Sequence, residues 1–383
     1  MVRPAPTATK ACPSSRSRPF PPAVNAACLV AVVLLATTAC RRSAPEAPLV
    51  VRSVASPPAP PAAAQTGRTG INPRLLRRFR PISRTTVARP SSPELVSLGH
   101  LLFFEPRLSR SGSISCNSCH SLRAFGVDHR ATSVGERGQH GRRNAPTVYN
   151  AAEHLAQFWD GRARDIEEQA AGPILNPAEM GATRESVEAT LRAIPEYRRR
   201  FRETFPGDAE PVTLTNVGRA LGAFERKLVT RSRWDDYLKG QRDALSAAEI
   251  EGLRVFLDVG CMGCHTGPQV GASMYQIAGF VEPWPNQADL GRFEITKVPS
   301  DRMVFKVPTM KNITRTYPYF HDGSVGELSE AVRMMGRHQL GVELSEAEVT
   351  SIVTFLGALE GGLPAEYVAP PDLPGAVLAK RGG

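Results

Sequence analysis

Two short stretches of the chain place cysteine and histidine in an identical spacing. Residues 116–120 read Cys-Asn-Ser-Cys-His, and residues 261–265 read Cys-Met-Gly-Cys-His. The Cys-x-x-Cys-His pattern is typical of c-type haem, in which two thiols bond one porphyrin and the histidine binds its iron from one face. Because the chain has only 7 Cys and 8 His in 383 residues, chance does not account for two copies. The predicted haem residues are Cys116, Cys119, His120, Cys261, Cys264 and His265.

Two other uses of paired cysteines fit this pattern less well. A structural zinc site needs the four thiols to converge, and a redox dithiol has no need of the trailing histidine. The three remaining cysteines, Cys12, Cys28 and Cys40, all precede residue 41. The rest of the chain therefore has no spare thiol and needs no disulfide.

The first 40 residues have the composition of an export signal. Four basic residues and no acidic residue precede or flank an uncharged, mostly apolar stretch at 26–39, which is too short for a comfortable transmembrane helix. This predicts a signal peptide at 1–40 and a periplasmic protein. Residues 37–40 also resemble a bacterial lipoprotein cleavage box, although Thr37 stands where the box usually has Leu. Lipid anchoring at Cys40 and ordinary cleavage near Ala39 both remain open.

Residues 41–90 are rich in Pro, Ala and Arg and show no hydrophobic periodicity, which predicts a disordered or extended linker. The net charge of +10 is concentrated before residue 91. Residues 1–40 contribute four positive charges and residues 41–90 contribute nine, so residues 91–383 carry a net charge of −3. Nucleic-acid binding would need a basic folded face, and we expect no nucleic-acid partner.

Ordered structure is predicted from Ser92 onward, with one plan used twice. Ser92 and Pro93 begin a helix, and Ser246 forms a capping box for a second helix that ends at Gly260. Each helix is followed by a Cys-x-x-Cys-His motif, a long loop and a closing helix, and Ser345 with Glu348 is predicted to cap the last of these helices. We therefore expect a mostly α-helical fold of two tandem cytochrome c-type haem domains at 91–240 and 241–383. The C-terminal tail could also pack back on the first domain.

With both motifs placed, the chain resembles the bacterial di-haem cytochrome c peroxidase family, which is related to the MauG-type enzymes. The resemblance extends from about residue 92 to residue 360, and the family's landmarks occur in order. The matching stretches are LGHLLFFEPRLSRSGSISCNSCH, GRRNAPTVYNAA, QFWDGRA, NPAEM, FKVPTMKNITRTYPYFHDG and MMGRHQLG.

The resemblance implies an axial ligand for the second iron. Met335 matches the family's ligand, and Met/His ligation would raise the potential of this haem so that it stores an electron readily. Met334 is its rival, since a methionine on a helix is usually core filler. The related enzymes that mature the quinone cofactor of methylamine dehydrogenase carry Tyr at this place. Met335 therefore favours the peroxidase branch.

The resemblance makes the first haem the place where peroxide binds. Many family members block this face in the fully oxidised state with a histidine sixteen residues after the proximal one, but here that position holds Glu136. The face could be open without a reductive trigger, or another residue could fill it. His140 is the nearest candidate and His129 is the next.

Three further residues match the family's catalytic apparatus. Glu179 matches a carboxylate that moves a proton between the two peroxide oxygens, which heterolytic cleavage requires. Gln169 matches a polar neighbour that orients peroxide or water. Trp159 matches a tryptophan between the two haems that would shorten electron hops. By sequence alone Glu179 would be an ordinary surface residue and Trp159 a packed core residue.

The family also holds a calcium ion at the domain boundary. Its ligands would map to the Asn144 side chain and to the backbone carbonyls of Thr316 and Pro318, with waters; such oxygen ligands suit Ca²⁺. His321 matches a further landmark, which we expect near the second haem or the domain interface as a structural hydrogen-bonding residue.

The resemblance thus implies two haem c groups, a calcium ion, hydrogen peroxide as substrate, and a small cytochrome c or cupredoxin as electron donor. It also implies a homodimer. Two alternatives stay open. One is a di-haem oxidase that acts on a protein or organic substrate, as in the MauG-type relatives. The other is a di-haem electron carrier, against which Glu179 and Gln169 argue.

Overall fold

The computed structural model describes residues 71–82 and 91–375, and this part of the chain is mostly helical. Its two β-strands, β1 (Tyr275–Ile277) and β2 (Val304–Lys306), pair antiparallel with Gln276 opposite Phe305. The helices, numbered α1 to α13, are Pro73–Leu76, Pro93–Phe103, Cys116–Cys119, Ile166–Leu175, Arg184–Ala193, Pro195–Thr204, Leu214–Glu225, Arg233–Leu238, Ala247–Val259, Phe293–Thr296, Leu328–Met334, Glu346–Gly357 and Ala365–Val368.

The first apolar core forms where α2 crosses α7. Ser92 caps α2 by accepting from the backbone N–H of Leu95, and Pro93 occupies its first turn, as the sequence predicts. The two helices approach closely because α2 carries Gly99 at the crossing. A Cβ atom there would lie 1.9 Å from the carbonyl oxygen of Ala220. Helices α4, α5 and α6 complete this core.

The second core repeats this packing with α9 and α12. Both helices begin with the predicted capping boxes, at Ser246 and Ser345. Gly252 of α9 faces α12 so closely that a Cβ atom would lie 2.0 Å from the carbonyl oxygen of Ser351. Each Cys-x-x-Cys-His motif is therefore attached to one tightly packed helix pair.

Residues 71–82 differ from the disordered linker predicted for 41–90. They contain α1, and Phe79 packs edge-to-face on Trp234 with 5.3 Å between ring centroids. The backbone N–H of Ile82 donates to Asp235 over 2.8 Å. Phe79 and Trp234 are buried in the second core and Ile82 is buried as well, so burial outweighs the Arg-rich composition around these residues.

The second core also extends across the predicted domain boundary at residue 240. Trp234 and Tyr237 of α8 precede that boundary, yet both are buried in the second core. In the other direction, Leu363, Tyr367 and Leu373 of the C-terminal segment pack against the first core. Each core therefore contains side chains from outside its predicted range.

The predictions for the signal peptide at 1–40, for Cys40 and for most of the linker lie outside the described residues. No helix in the described part of the chain is long and apolar enough to span a membrane.

Candidate haem sites and catalytic residues

The first motif forms the short helix α3 and ends at His120. Ser115 and Ser118 form a capping box around it. The Nδ1 atom of His120 lies 3.2 Å from the carbonyl oxygen of Gly126, which fixes the ring and leaves Nε2 for an iron. Gly126 has φ +76°, and a Cβ atom there would lie 2.8 Å from Thr147 Oγ1. Burial lowers the pKa of His120, so the imidazole is neutral, as iron ligation requires.

The second motif begins as soon as α9 ends at Gly260, whose φ is +104°. His265 Nδ1 lies 3.2 Å from the carbonyl oxygen of Val270, so this ring is held in the same way. Val270 is β-branched but has φ +48°, a strained conformation, and its carbonyl is the one that contacts the His265 ring. Burial lowers the pKa of His265 to about 4.

The second motif opens on a cavity of about 270 Å³. Cys261, Cys264 and His265 lie on its wall, and much of the rest is apolar, including Phe256 and Leu356. All four motif cysteines in the described residues are free thiols. Two free thiols, one neutral imidazole and an apolar cavity match what a covalent haem needs, so the residues present fit the group.

Met335 lines the same cavity as His265, whereas Met334 is not among the lining residues. Met335 begins a π-helix, Met335–Leu340, that directly follows α11. Single π-helical turns are frequent at functional sites because the extra residue redirects a side chain. Met310 also lines the cavity. Its backbone N–H donates to the carbonyl oxygen of Gln269, which ties Met310 to the loop that follows His265. Met335 is therefore the better candidate for a second protein ligand of an iron held by His265, because it lies on a separate element.

Trp159 stands on the edge of this cavity. Its Nε1–H donates to the carbonyl oxygen of Asn144 over 2.9 Å, and its own carbonyl accepts from the backbone N–H of Lys306. Phe158, just before it, has φ +67°, and the Arg162 guanidinium lies 3.4 Å from its ring centroid. The Trp159 ring is thus anchored by Asn144, and its backbone is anchored by Lys306.

Glu179 lies in a loop that follows α4 and is only partly exposed. Asn176 Nδ2–H donates to Glu179 Oε1 over 2.7 Å, which leaves Oε2 available. Burial raises the pKa of Glu179, while the Asn176 bond and the charge of Arg162 act against that rise. Burial also raises the pKa of Cys119, and the Glu179 carboxylate adds to it, so Glu179 is near the first motif.

Gln169 lies on α4, one turn before Pro173, and is half-buried. Its backbone N–H donates to the carbonyl oxygen of Asp165, as expected for the first turn of this helix. Among the described residues, no hydrogen bond joins its side chain to Glu179. The contacts therefore fix Glu179 and leave the side chain of Gln169 without a comparable anchor.

Glu136 is turned into the protein. It is 3% exposed, and its Oε1 accepts from the N–H of Ser111 over 2.9 Å and from the Ser111 hydroxyl over 2.6 Å. These bonds lower the pKa of Glu136. Its own backbone N–H donates to the carbonyl oxygen of Glu179 over 2.8 Å. The residue at the blocking position thus braces the Glu179 loop.

The two histidines that could replace a blocking ligand are engaged elsewhere. His140 is exposed, and its Nδ1 lies 3.2 Å from the hydroxyl of Thr132. His129 stacks on Tyr317 with 4.2 Å between ring centroids. Its Nδ1 also lies 3.1 Å from the Tyr317 carbonyl oxygen. Neither side chain is free in this conformation.

The residues named for calcium lie along one cavity wall, where Asn144, Thr316 and Pro318 are all lining residues. The Asn144 Nδ2–H donates to the carbonyl oxygen of Arg130 over 2.9 Å, so Oδ1 is the atom that could ligate a cation. Within residues 71–82 and 91–375, no three His, Cys, Asp or Glu side chains are arranged to hold a metal. An ion here would rest on amide and carbonyl oxygens. His321 is buried nearby and stacks on Phe305.

Sequence reasoning missed one buried acid beside the first motif. Glu225 ends α7 and is 5% exposed. Burial raises its pKa to about 8, and Glu167 adds to the effect; the Glu225 carboxylate in turn helps raise the pKa of Cys116. The available signal was its position next to Phe224 in an otherwise apolar stretch of α7. A single glutamate at the end of such a stretch predicts the end of a helix and gives no sign that the side chain is buried.

A fold with two separate Cys-x-x-Cys-His sites, each beside its own helix pair, defines a di-haem c-type protein. The family model described as di-haem cytochrome c peroxidase matches residues 93–243. The cytochrome c551 peroxidase of Nitrosomonas europaea is 48% identical over 286 residues, which cover 74% of this chain and 85% of that protein. The cytochrome c551 peroxidase of Pseudomonas aeruginosa is 46% identical over 295 residues, covering 75% and 85%.

Among solved structures, a MauG-like protein associated with microbial copper homeostasis superposes with a TM-score of 0.64. It is 28% identical, and the match covers 76% of this chain and 95% of that one. The chain belongs to the di-haem cytochrome c peroxidase family.

Proposed function

We propose that this protein is a periplasmic cytochrome c peroxidase that reduces hydrogen peroxide to water. Its electrons would come from a small cytochrome c or a cupredoxin. The observation that carries the proposal is Glu179, a carboxyl group with a raised pKa that Asn176 holds near the first motif and that does not line the cavity of the second. A site that only passed electrons would gain nothing from such a group.

Haem c bound at the two motifs would supply the iron that exchanges electrons with peroxide and with the donor. His120 and His265 would hold the two irons through Nε2, because each Nδ1 is committed to a backbone carbonyl. Met335 would be a second protein ligand of the iron held by His265. The second site would then have two protein ligands, and the first would have one and room for peroxide.

Glu179 would carry the proton from one peroxide oxygen to the other. Its Oε1 is held by Asn176, so Oε2 is the atom that exchanges the proton. A carboxyl whose pKa lies above its ordinary value takes up and releases a proton more readily near neutral pH. Gln169 would orient peroxide, and Trp159 would lie on the electron path between the sites.

We propose further that the first site is open in the fully oxidised protein. Supporting this, Glu136 is bonded to Ser111, and His140 and His129 have other partners. A calcium ion bound by Asn144, Thr316 and Pro318 would brace the wall next to Trp159. The proposal includes a homodimer, and it keeps lipid anchoring at Cys40 and ordinary cleavage near Ala39 as alternatives.

The test is peroxide-dependent oxidation of a reduced small cytochrome c, run with the enzyme fully oxidised and again after one-electron reduction. We expect turnover in both states, with a peroxide-free reaction as the control. Turnover only after reduction would show that another residue gates the first site. No turnover in either state would overturn the peroxidase proposal and favour an oxidase or an electron carrier.

A further inference from the structure

A buried lysine in the wall of the second cavity has only neutral partners. Lys306 is 6% exposed, and its ammonium group contacts His154 Nδ1 at 3.1 Å and the carbonyl oxygen of Ala156 at 2.9 Å. An ammonium group has three N–H donors, so one of them remains. Among the described residues, no carboxylate oxygen lies within 4.0 Å of this nitrogen. A buried cation in this state is costly unless an anion reaches it.

The partner histidine leaves a second donor beside the first. Because Lys306 donates to Nδ1, the ring hydrogen of neutral His154 is on Nε2. This Nε2 atom is buried and has no hydrogen-bond partner among the described residues. Burial and the charge of Lys306 both lower the pKa of His154, which keeps the ring neutral. Two N–H donors, one on each side chain, therefore lack an acceptor.

Lys311, five residues further along, shows how the same chain treats a buried lysine that has a protein partner. It is 1% exposed, and its Nζ donates to Asp235 over 2.8 Å and to the hydroxyl of Ser232 over 3.0 Å. Asp160, the carboxylate whose charge reaches Lys306, is bonded instead to Arg143 and Arg162. Lys311 is thus paired with the carboxylate of Asp235, whereas Lys306 has no carboxylate partner among the described residues.

Both Lys306 and His154 line the cavity that contains His265. We propose that the two side chains together bind a propionate carboxylate of the second haem, one donor to each oxygen. The inference rests on the proposed haem attachment at Cys261 and Cys264 and does not depend on peroxide turnover. A carboxylate offers two acceptor oxygens to two waiting donors and neutralises the buried cation.

The pairing has a consequence for the second haem. A cation held against a propionate compensates its negative charge, which favours the reduced iron. Burial lowers the pKa of Lys306 to about 8, and the charge of Asp160 opposes this. A bound carboxylate would raise the pKa again and keep the lysine charged at neutral pH. Lys306 would thereby help the second site to hold an electron.

The experiment compares Lys306→Met with Lys306→Arg and with Lys297→Met in the full di-haem protein. Lys297 is exposed, so its substitution controls for the loss of one positive charge. Haem content is measured first by haemochromogen spectra, then the potential of the second haem by spectroelectrochemistry. Resonance Raman spectra report the propionate bending mode, which responds to hydrogen bonding of the carboxylate.

For Lys306→Met we expect two bound haems, a shifted propionate mode, and a roughly tenfold less favourable reduction of the second haem, about 59 mV for a one-electron couple. Lys306→Arg should restore most of both signals, and Lys297→Met should change neither. An unchanged potential and propionate mode in Lys306→Met would overturn the proposal. If that variant fails to fold, His154→Phe removes the second donor. It should move both signals in the same direction, and no movement would equally overturn the proposal.

Discussion

The two motifs hold histidine identically but differ in everything around it. Each Nδ1 lies 3.2 Å from a backbone carbonyl, and burial lowers the pKa of each imidazole. Around the first motif stand the acids Glu179, Glu136 and Glu225. Around the second lies an apolar cavity with Met335 on its wall. Under the proposed function, the acids would serve proton transfer at the first site, and the apolar cavity with Met335 would serve electron storage at the second.

The largest effect should come from the methionine at the second site. In Met335→Leu the thioether is lost, and we expect the potential of that haem to fall by a substantial part of the roughly 0.8 V range that axial ligands span. Spectroelectrochemistry measures it, with Met310→Leu as the matched control from the same cavity. A larger fall in Met310→Leu would move the ligand assignment to Met310.

Next in size should be the loss of the acid–base group at the first site. Glu179→Gln keeps the shape and the Asn176 contact but cannot exchange a proton. We expect peroxide turnover to fall by about 10²–10⁴-fold, while both haems still reduce normally. Asn176→Ala, which frees the carboxylate, should fall less. Turnover that survives in Glu179→Gln would remove the acid–base role from this residue.

Glu225, beside the first motif, should make the free energy of unfolding depend on pH. Its folded pKa of about 8 lies above the ordinary 4.5, so below pH 4.5 the carboxyl is neutral in both states. As the pH rises from 4.5 towards 8, the unfolded chain releases the proton first and the folded protein loses stability. Glu225→Gln removes this loss, which is at most about 3.4 kcal/mol at pH 7, because each pH unit above 4.5 contributes about 1.36 kcal/mol.

Thermal unfolding at pH 4.5 and at pH 7 tests this prediction, with the exposed Glu203→Gln as control. We expect Glu225→Gln to raise the melting temperature at pH 7 and to leave it nearly unchanged at pH 4.5. An equal gain at both values would mean that the substitution acts by packing and that Glu225 does not titrate in this window.

Features that depend on neighbouring residues could be predicted from the sequence, and contacts between distant residues could not. Local rules predicted the motifs and the caps at Ser92, Ser246 and Ser345, because each depends on residues a few positions apart. The burial of Phe79 against Trp234 joins residues more than 150 positions apart, and composition in the linker pointed the other way. No local pattern reports such a contact.

The site residues divide along the same line. Resemblance named Glu179 and Met335, and the structure adds what surrounds them. The bond from Ser111 to Glu136 and the unpaired donors of Lys306 and His154 depend on segments that meet only in the folded chain. Their residue types alone are ordinary for a surface. The chemistry of these residues depends on their hydrogen-bond partners, and those partners come from segments that are distant in sequence.

The smallest effect should come from removing the hydroxyl bond that holds Glu136 at the first site, and it should appear in the free energy of unfolding. Ser111→Ala removes the 2.6 Å hydroxyl bond to Glu136 but keeps the backbone bond. A hydrogen bond to a charged group contributes about 1.5–3 kcal/mol, and the remaining bond should hold the loss near the lower end. Because these bonds lower the pKa of Glu136, their stabilisation is present above the ordinary value of 4.5 and fades as the pH falls.

Urea unfolding at pH 7 and at pH 4 measures this loss, with the exposed Ser300→Ala as control. The loss for Ser111→Ala should be larger at pH 7. The second site provides a further check, because Glu136 bonds to Ser111 and to the loop that carries Glu179, and none of these residues lines the cavity of the second motif. A shift of the second haem's potential in Ser111→Ala would show that the two sites are not independent. An unchanged potential, with lowered peroxide turnover, would show that the bond between Ser111 and Glu136 affects only proton transfer at the first site.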